Sequence, residues 1–163
     1  MFAKRSCLVV EQAYSSLTQL AASLRNLGFG RVFAVGEEEI AGNIERLTPD
    51  LIVVEASRSD SHLRTLRRIR AHVHIQVRRA PVVVVTADGR AAAICAIRDA
   101  GANAIVLHPF SLSILELQAA AALRDDRAFI ETAAYVGPDR RRSGDGEYKG
   151  IGRRVTDEHL YLV

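Results

Sequence analysis

Short, continuous apolar runs alternate along this chain with longer stretches in which apolar residues recur every three or four positions. The short runs 6–10 (SCLVV), 29–35, 49–57 (PDLIVVEAS), 81–86 (PVVVVT) and 104–107 predict strands; 49–57, dominated by β-branched residues, suits a strand covered on both faces, and 81–86 is the clearest buried strand. Between them, 12–27, 37–47, 60–72, 90–100 and 111–123 carry helical spacing. Leu17, Leu20, Leu24 and Leu27 share one face of the first helix. Leu63, Leu66, Ile69 and Val73 share the inward face of the third, with Arg64, Arg67, Arg68 and Arg70 turned elsewhere. Gly28 and Gly101 suit helix ends, and Ser111 suits an N-cap. Five alternations of strand and helix with short connections predict a parallel sheet covered on both faces, in the order 2-1-3-4-5. From about Asp125 the pattern stops. We therefore expect a domain over residues 1–124 and an irregular, arginine-rich extension over 125–163.

Composition narrows the partners. The 163 residues are 48% hydrophobic, enough for one domain with a real core. With 22 Lys and Arg against 19 Asp and Glu, the net charge is only +3, so a general polyanion binder is not the first reading and nucleic acid is not expected as a partner. Cys7 and Cys95 lie far apart without metal-ligand spacing, which fits buried thiols in a reducing compartment and neither a disulfide scaffold nor a zinc site. Glu37, Glu38 and Glu39 fit the positive end of a helix dipole better than a metal site. No apolar stretch reaches the length of a signal peptide or a membrane span, so a cytoplasmic protein without membrane contact is expected.

In open α/β sheets the working crevice lies beyond the carboxyl ends of the strands, and the central run ends there in an acid, Glu55. The five units, together with RDAGANAIVLHPFS near their end, resemble the receiver domain of bacterial response regulators, of which the chemotaxis protein CheY is the single-domain type. The resemblance spans roughly residues 6–123 and implies a flavodoxin-like (CheY-like) doubly wound fold. It further implies magnesium-binding acids after the first strand, a phosphoryl-accepting aspartate ending the third, Thr or Ser ending the fourth and lysine before proline after the fifth. At those positions this chain has Glu11 and Gln12, Glu55, Thr86 and His108, and Ile105 replaces the aromatic switch residue. A glutamate is one methylene longer than aspartate, and a nucleophile misplaced by about an ångström costs about a hundredfold in rate. Gln12 adds no charge toward a divalent cation, and His108 lacks the permanent charge of lysine. We expect a degenerate phosphoacceptor pocket of Glu11, Gln12, Glu55, Thr86 and His108, with no catalysis and no bound metal. Glu55 reads either as an acid left in an unreactive pocket or as a permanent imitation of the activated state. The first is preferred, since Ile105 cannot supply the aromatic half of a relay. His108 reads as a structural residue at a cis peptide, on the same resemblance.

Arginine is concentrated twice. The first cluster, Arg58, Arg64, Arg67, Arg68, Arg70, Arg78 and Arg79, reads as a solvated helix face. The second, Arg140, Arg141, Arg142, Arg153 and Arg154, is interleaved with acids and flanked by apolar and aromatic residues. GPDRRR followed by GRR after a degenerate receiver looks similar to the CheY-like cyclic di-GMP effectors of flagellated bacteria, whose arginine-rich stretch is the ligand site. Guanidinium groups pair with guanine O6 and N7 and with phosphate. Tyr135 and Tyr148 offer flat partners, while Asp139, Asp145 and Asp157 lie within the run as acceptors, the last two in RxxD patterns. The resemblance thus implies cyclic di-GMP as ligand and a protein partner such as the flagellar motor switch. Two other classes stay open: a pseudo-receiver that binds protein alone through its fourth and fifth helices, and a nucleic-acid-binding module joining both clusters.

Overall fold

The computed structural model describes residues 2–11, 17–56 and 60–140. Strands β1 (Ser6–Glu11), β2 (Arg31–Gly36), β3 (Leu51–Glu55), β4 (Val82–Thr86) and β5 (Ala104–Leu107) form one parallel sheet in the order β2-β1-β3-β4-β5, as the alternation predicts. The central strands are apolar on both sides because each side meets its own core. Leu8, Val10, Ile52, Val54, Val82 and Val84 pack under α2 (Ile40–Leu47), α3 (Ser61–Arg70), α4 (Ile75–Arg79) and α5 (Ala91–Asp99). Cys7, Val9, Leu51, Val53, Val83 and Val85 pack under α1 (Leu17–Asn26) and α6 (Leu112–Leu123), with Phe2 stacked on Phe29 at 4.4 Å. Burying each such Val, Leu or Ile contributes about 1.5–3 kcal/mol, which makes this double core the main support of the sheet.

Local signals place the elements. The Ser111 hydroxyl accepts from the Ile114 amide at 3.3 Å and starts α6. Gly28 and Gly101 adopt φ of +87° and +99° after α1 and α5, conformations that L side chains resist. Asp50 ties the start of β1 to that of β3, accepting from the Ser6 amide at 2.7 Å and from Arg5 at 2.8 Å.

Several expectations are corrected. α3 ends at Arg70, so Val73 is 80% exposed and does not point inward; a further short helix, α4, follows. Arg70, expected on the solvated face, is only 2% exposed. Cys7 is buried but Cys95 lies on the exposed side of α5. The extension is not wholly irregular either: β6 (Phe129–Glu131) and β7 (Val136–Pro138) pair antiparallel into a hairpin. The hairpin approaches the turn at Gly101 so closely that a Cβ there would lie 2.6 Å from the Val136 carbonyl oxygen.

Candidate functional site

The carboxyl ends of the strands bring four of the five expected pocket residues to one edge. Val10 is in register with Val54, which sets Glu11 level with Glu55 on the neighbouring strand. Glu11 is buried, while the Glu55 side chain keeps about a quarter of its surface open, at 23%. His108 follows β5 across a cis bond to Pro109 and places Nε2 3.7 Å from Glu55 Oε1. That is an ion pair whenever the imidazole carries a proton, and too long for a good hydrogen bond. Thr86 closes β4, buried, its hydroxyl accepting from the Asp88 amide at 3.1 Å. Gln12 lies outside the described residues. Ile105 is packed against the core under α5. Among the described residues no three His, Cys, Asp or Glu side chains are grouped to hold a metal ion.

Beside this edge a cleft of about 410 Å³ opens between α3 and α5, lined by Ala56, His62, Thr86, Asp88, Arg90 and Ala96 among others. Arg90 grips Asp88 at its mouth, with Nη2 2.6 Å from Oδ2, and its side-chain and backbone N–H groups hold the carboxyl down at about 2.

The other pole carries the beginning of the arginine run. Tyr135 is buried, its hydroxyl donating to the Pro138 carbonyl at 2.6 Å. Arg140 lies over the Tyr135 ring, 4.1 Å from its centroid, and donates to Asp99 Oδ1 at 2.7 Å. Burial raises the Asp99 carboxyl, but hydrogen bonds from Arg140 and Arg98 outweigh it and leave the group below the ordinary range. The Asp139 amide donates to the Ala128 carbonyl at 2.7 Å and closes the hairpin's base. Arg141, Arg142, Asp145, Tyr148, Arg153, Arg154 and Asp157 lie outside the described residues.

Sequence reasoning missed Arg70. Its Nε donates to the Gly101 carbonyl at 2.9 Å, Nη1 to the carbonyls of Arg78 at 2.6 Å and Ala80 at 2.8 Å, and Nη2 to Asn103 Oδ1 at 2.9 Å. Its guanidinium also stands over Phe129 at 5.5 Å, opposite Arg79 at the same distance. A signal was present: residue 70 follows Leu63 by seven and Leu66 by four, which puts it on the apolar stripe.

Solved structures similar to this chain include receiver domains. One is the receiver domain of a sensor histidine kinase from Pseudomonas aeruginosa, described with magnesium coordinated in its active-site cleft; it is 26% identical, with a TM-score of 0.63 over 73% of this chain and 97% of that one. A response regulator from Thermotoga maritima is 24% identical, with a TM-score of 0.62 over the same shares. The chemotaxis protein CheY4 of Vibrio cholerae is 16% identical, with a TM-score of 0.60 over 68% of this chain and 92% of that one. No family model matches the chain. No curated protein matches it either. Strand order and neighbours together define a CheY-like receiver fold, the fold of response-regulator signalling domains. Among the described residues no helix is long and apolar enough to cross a membrane.

Proposed function

We propose that this protein is a receiver-like signalling module that works without a phosphoryl switch and takes cyclic di-GMP through its arginine-rich C-terminal stretch, to regulate a protein partner. The flagellar motor switch is the partner to which the resemblance points. One observation supports the ligand half most directly: Arg140, the first arginine of the run, is seated on Tyr135 and Asp99, so the run starts from a fixed base on the domain. In this reading Tyr135 is the floor under Arg140, and Arg141, Arg142, Arg153 and Arg154 supply donors to phosphate and guanine. In the same reading Asp139, Asp145 and Asp157 are the acceptors for a guanine edge, and Tyr148 a second aromatic partner. The loss of phosphorylation is supported by the other pole, where a glutamate faces a histidine in place of aspartate and lysine.

Calorimetric titration with cyclic di-GMP, against GTP and duplex DNA, tests the reading. Saturable binding of cyclic di-GMP alone is expected, and replacement of Arg141 and Arg142 by Ala should abolish it while the free protein melts within a few degrees of the parent. Unchanged binding by that double variant would move the site elsewhere. A second reading, a pseudo-receiver that binds protein without nucleotide, draws on Leu107, Leu112, Ile114 and Leu117, which are exposed along β5 and α6. It predicts no heat with any nucleotide and indifference to the arginine replacements. Affinity for the DNA control that falls steeply with salt would instead favour nucleic acid.

A further inference from the structure

Between the α3–α4 corner and the hairpin lies a second cleft, of about 480 Å³, walled by Arg70, Arg78, Glu131 and Thr132 with the small residues Ala71 and Ala133. Two guanidinium groups line it, and a third, that of Arg79, meets that of Arg78 at Glu131. Arg70 is buried in the wall, and its hydrogen bonds go only to neutral acceptors, the carbonyls of Arg78, Ala80 and Gly101 and the Asn103 amide oxygen. Arg78 and Arg79 converge on one carboxylate, Glu131, with Nη2 3.3 Å from Oε2 and Nε 3.6 Å from Oε1. Both contacts are longer than the roughly 2.7–2.9 Å of a charge-assisted hydrogen bond. Nε of Arg78, Nε of Arg79 and Oε1 of Glu131 are buried without a hydrogen-bond partner, so the cluster is incompletely satisfied as it stands. Asp125, whose charge also supports that of Arg70, is bridged to it by Asn103 and is itself held by Arg127 Nε at 2.7 Å. Three cations against one carboxylate leave an excess of positive charge, and part of it is shielded from solvent, where an uncompensated charge is costly. Burial depresses the Arg70 guanidinium to about 10, with Tyr135 and Asp125 acting against the shift.

We infer that this cleft is a binding site for a small dianionic ligand, a phosphate monoester of metabolite size, held by Arg78, with the charges of Arg70 in the wall and of Arg79 behind Glu131 adding to its pull. The phosphoryl oxygens accept from the outer guanidinium nitrogens, in competition with Glu131, and the small residues leave room for the rest of the molecule. Because Glu131 belongs to the hairpin and the arginines to α3 and α4, an anion that displaces Glu131 loosens the hairpin's hold on that corner. Arg140 is not among the residues that line the cleft, and the inference does not rest on cyclic di-GMP binding.

The test is titration of the full chain with inorganic phosphate and with glycerol 3-phosphate, at ionic strength matched with chloride. Saturable binding of both probes is expected, with Arg78→Gln weakening it at least tenfold and Glu131→Gln strengthening it several-fold by removing the competing carboxylate. The Arg141→Ala, Arg142→Ala double variant should bind both probes as the parent does. Arg79→Gln replaces Arg78→Gln should the latter fail to give a cooperative melt. Absence of saturable binding by the parent overturns the inference, as does weakening by Glu131→Gln, which would make Glu131 a clamp and the cluster purely structural.

Discussion

The Arg70 fork joins backbone segments that no strand pairing connects: the carbonyls of Arg78 and Ala80 at the end of α4, and that of Gly101 after α5. Removing a buried partner leaves the others unsatisfied, at about 1–3 kcal/mol for each orphaned group. Arg70→Met, similar in volume but without donors, should therefore lower unfolding free energy by about 3 kcal/mol or more in urea titration; a change below about 1 kcal/mol would mean that solvent replaces the fork. Arg70 was readable from its place in the helical repeat, but its partners were not, since spacing within α3 says nothing about which carbonyls arrive from 78, 80 and 101. Glu55 and His108 were readable as neighbours because strand ends in a parallel sheet share one edge. The acids of the other pole set a pH dependence. Burial raises the Asp125 carboxyl, but hydrogen bonds from Arg127 and Asn103 overcome it and leave it below its ordinary value; Asp99 behaves likewise with Arg140 and Arg98. A carboxyl depressed on folding adds stability above its unfolded pKa of roughly 4, and that stability fades as pH falls through the lower folded value. Asp125→Asn should thus melt lower at pH 7 yet lose less on acidification than the parent, as thermal melts from pH 7 to pH 3 would reveal.

At the scale of elements, the hairpin is fitted to the domain through two glycines. A Cβ on Gly137 would lie 2.8 Å from the Gly101 Cα, and one on Gly101 2.9 Å from Arg70 Cγ. Gly101→Ala meets both a φ of +99° and the Val136 carbonyl, so a loss of about 1–3 kcal/mol is expected, together with faster amide exchange in β6 and β7. A chain stopped after Asp126 keeps the five-stranded sheet and both cores, and should still unfold cooperatively, but at lower temperature, since it lacks Arg127 and the Phe129 ring between Arg70 and Arg79. Loss of the cooperative transition would make the hairpin part of the core itself. β1, β3 and β4 were visible in the sequence because a strand buried on both faces is apolar at nearly every position, whereas the partly exposed edge strands β2 and β5 followed from the alternation with helices. α4, with five residues, and β6 and β7, with three each, are too short for any period to show. Their formation depends on long-range partners such as Arg70 and Gly101.

For the molecule as a whole, the receiver fold is retained while the groups that would run phosphoryl chemistry differ. Incubation with acetyl phosphate and magnesium should leave the intact mass unchanged, both in the parent and in Glu55→Asp, because Gln12 carries no charge toward a divalent cation and His108 lacks the permanent charge of lysine. A labile added mass on the parent would restore phosphorylation as the switch. The hairpin docks beside Gly101 and Asn103, where β5 begins, whereas His108, facing Glu55, stands where β5 ends. At about 3.3 Å per residue the strand between them is only about 13 Å long. In a phosphorylated receiver the message is written at the far end of this strand; here a ligand gathered by the C-terminal arginines would write it at the near end. The direction of information flow along β5 would be reversed, and a partner that reads the flank of that strand would receive the same signal from the opposite side.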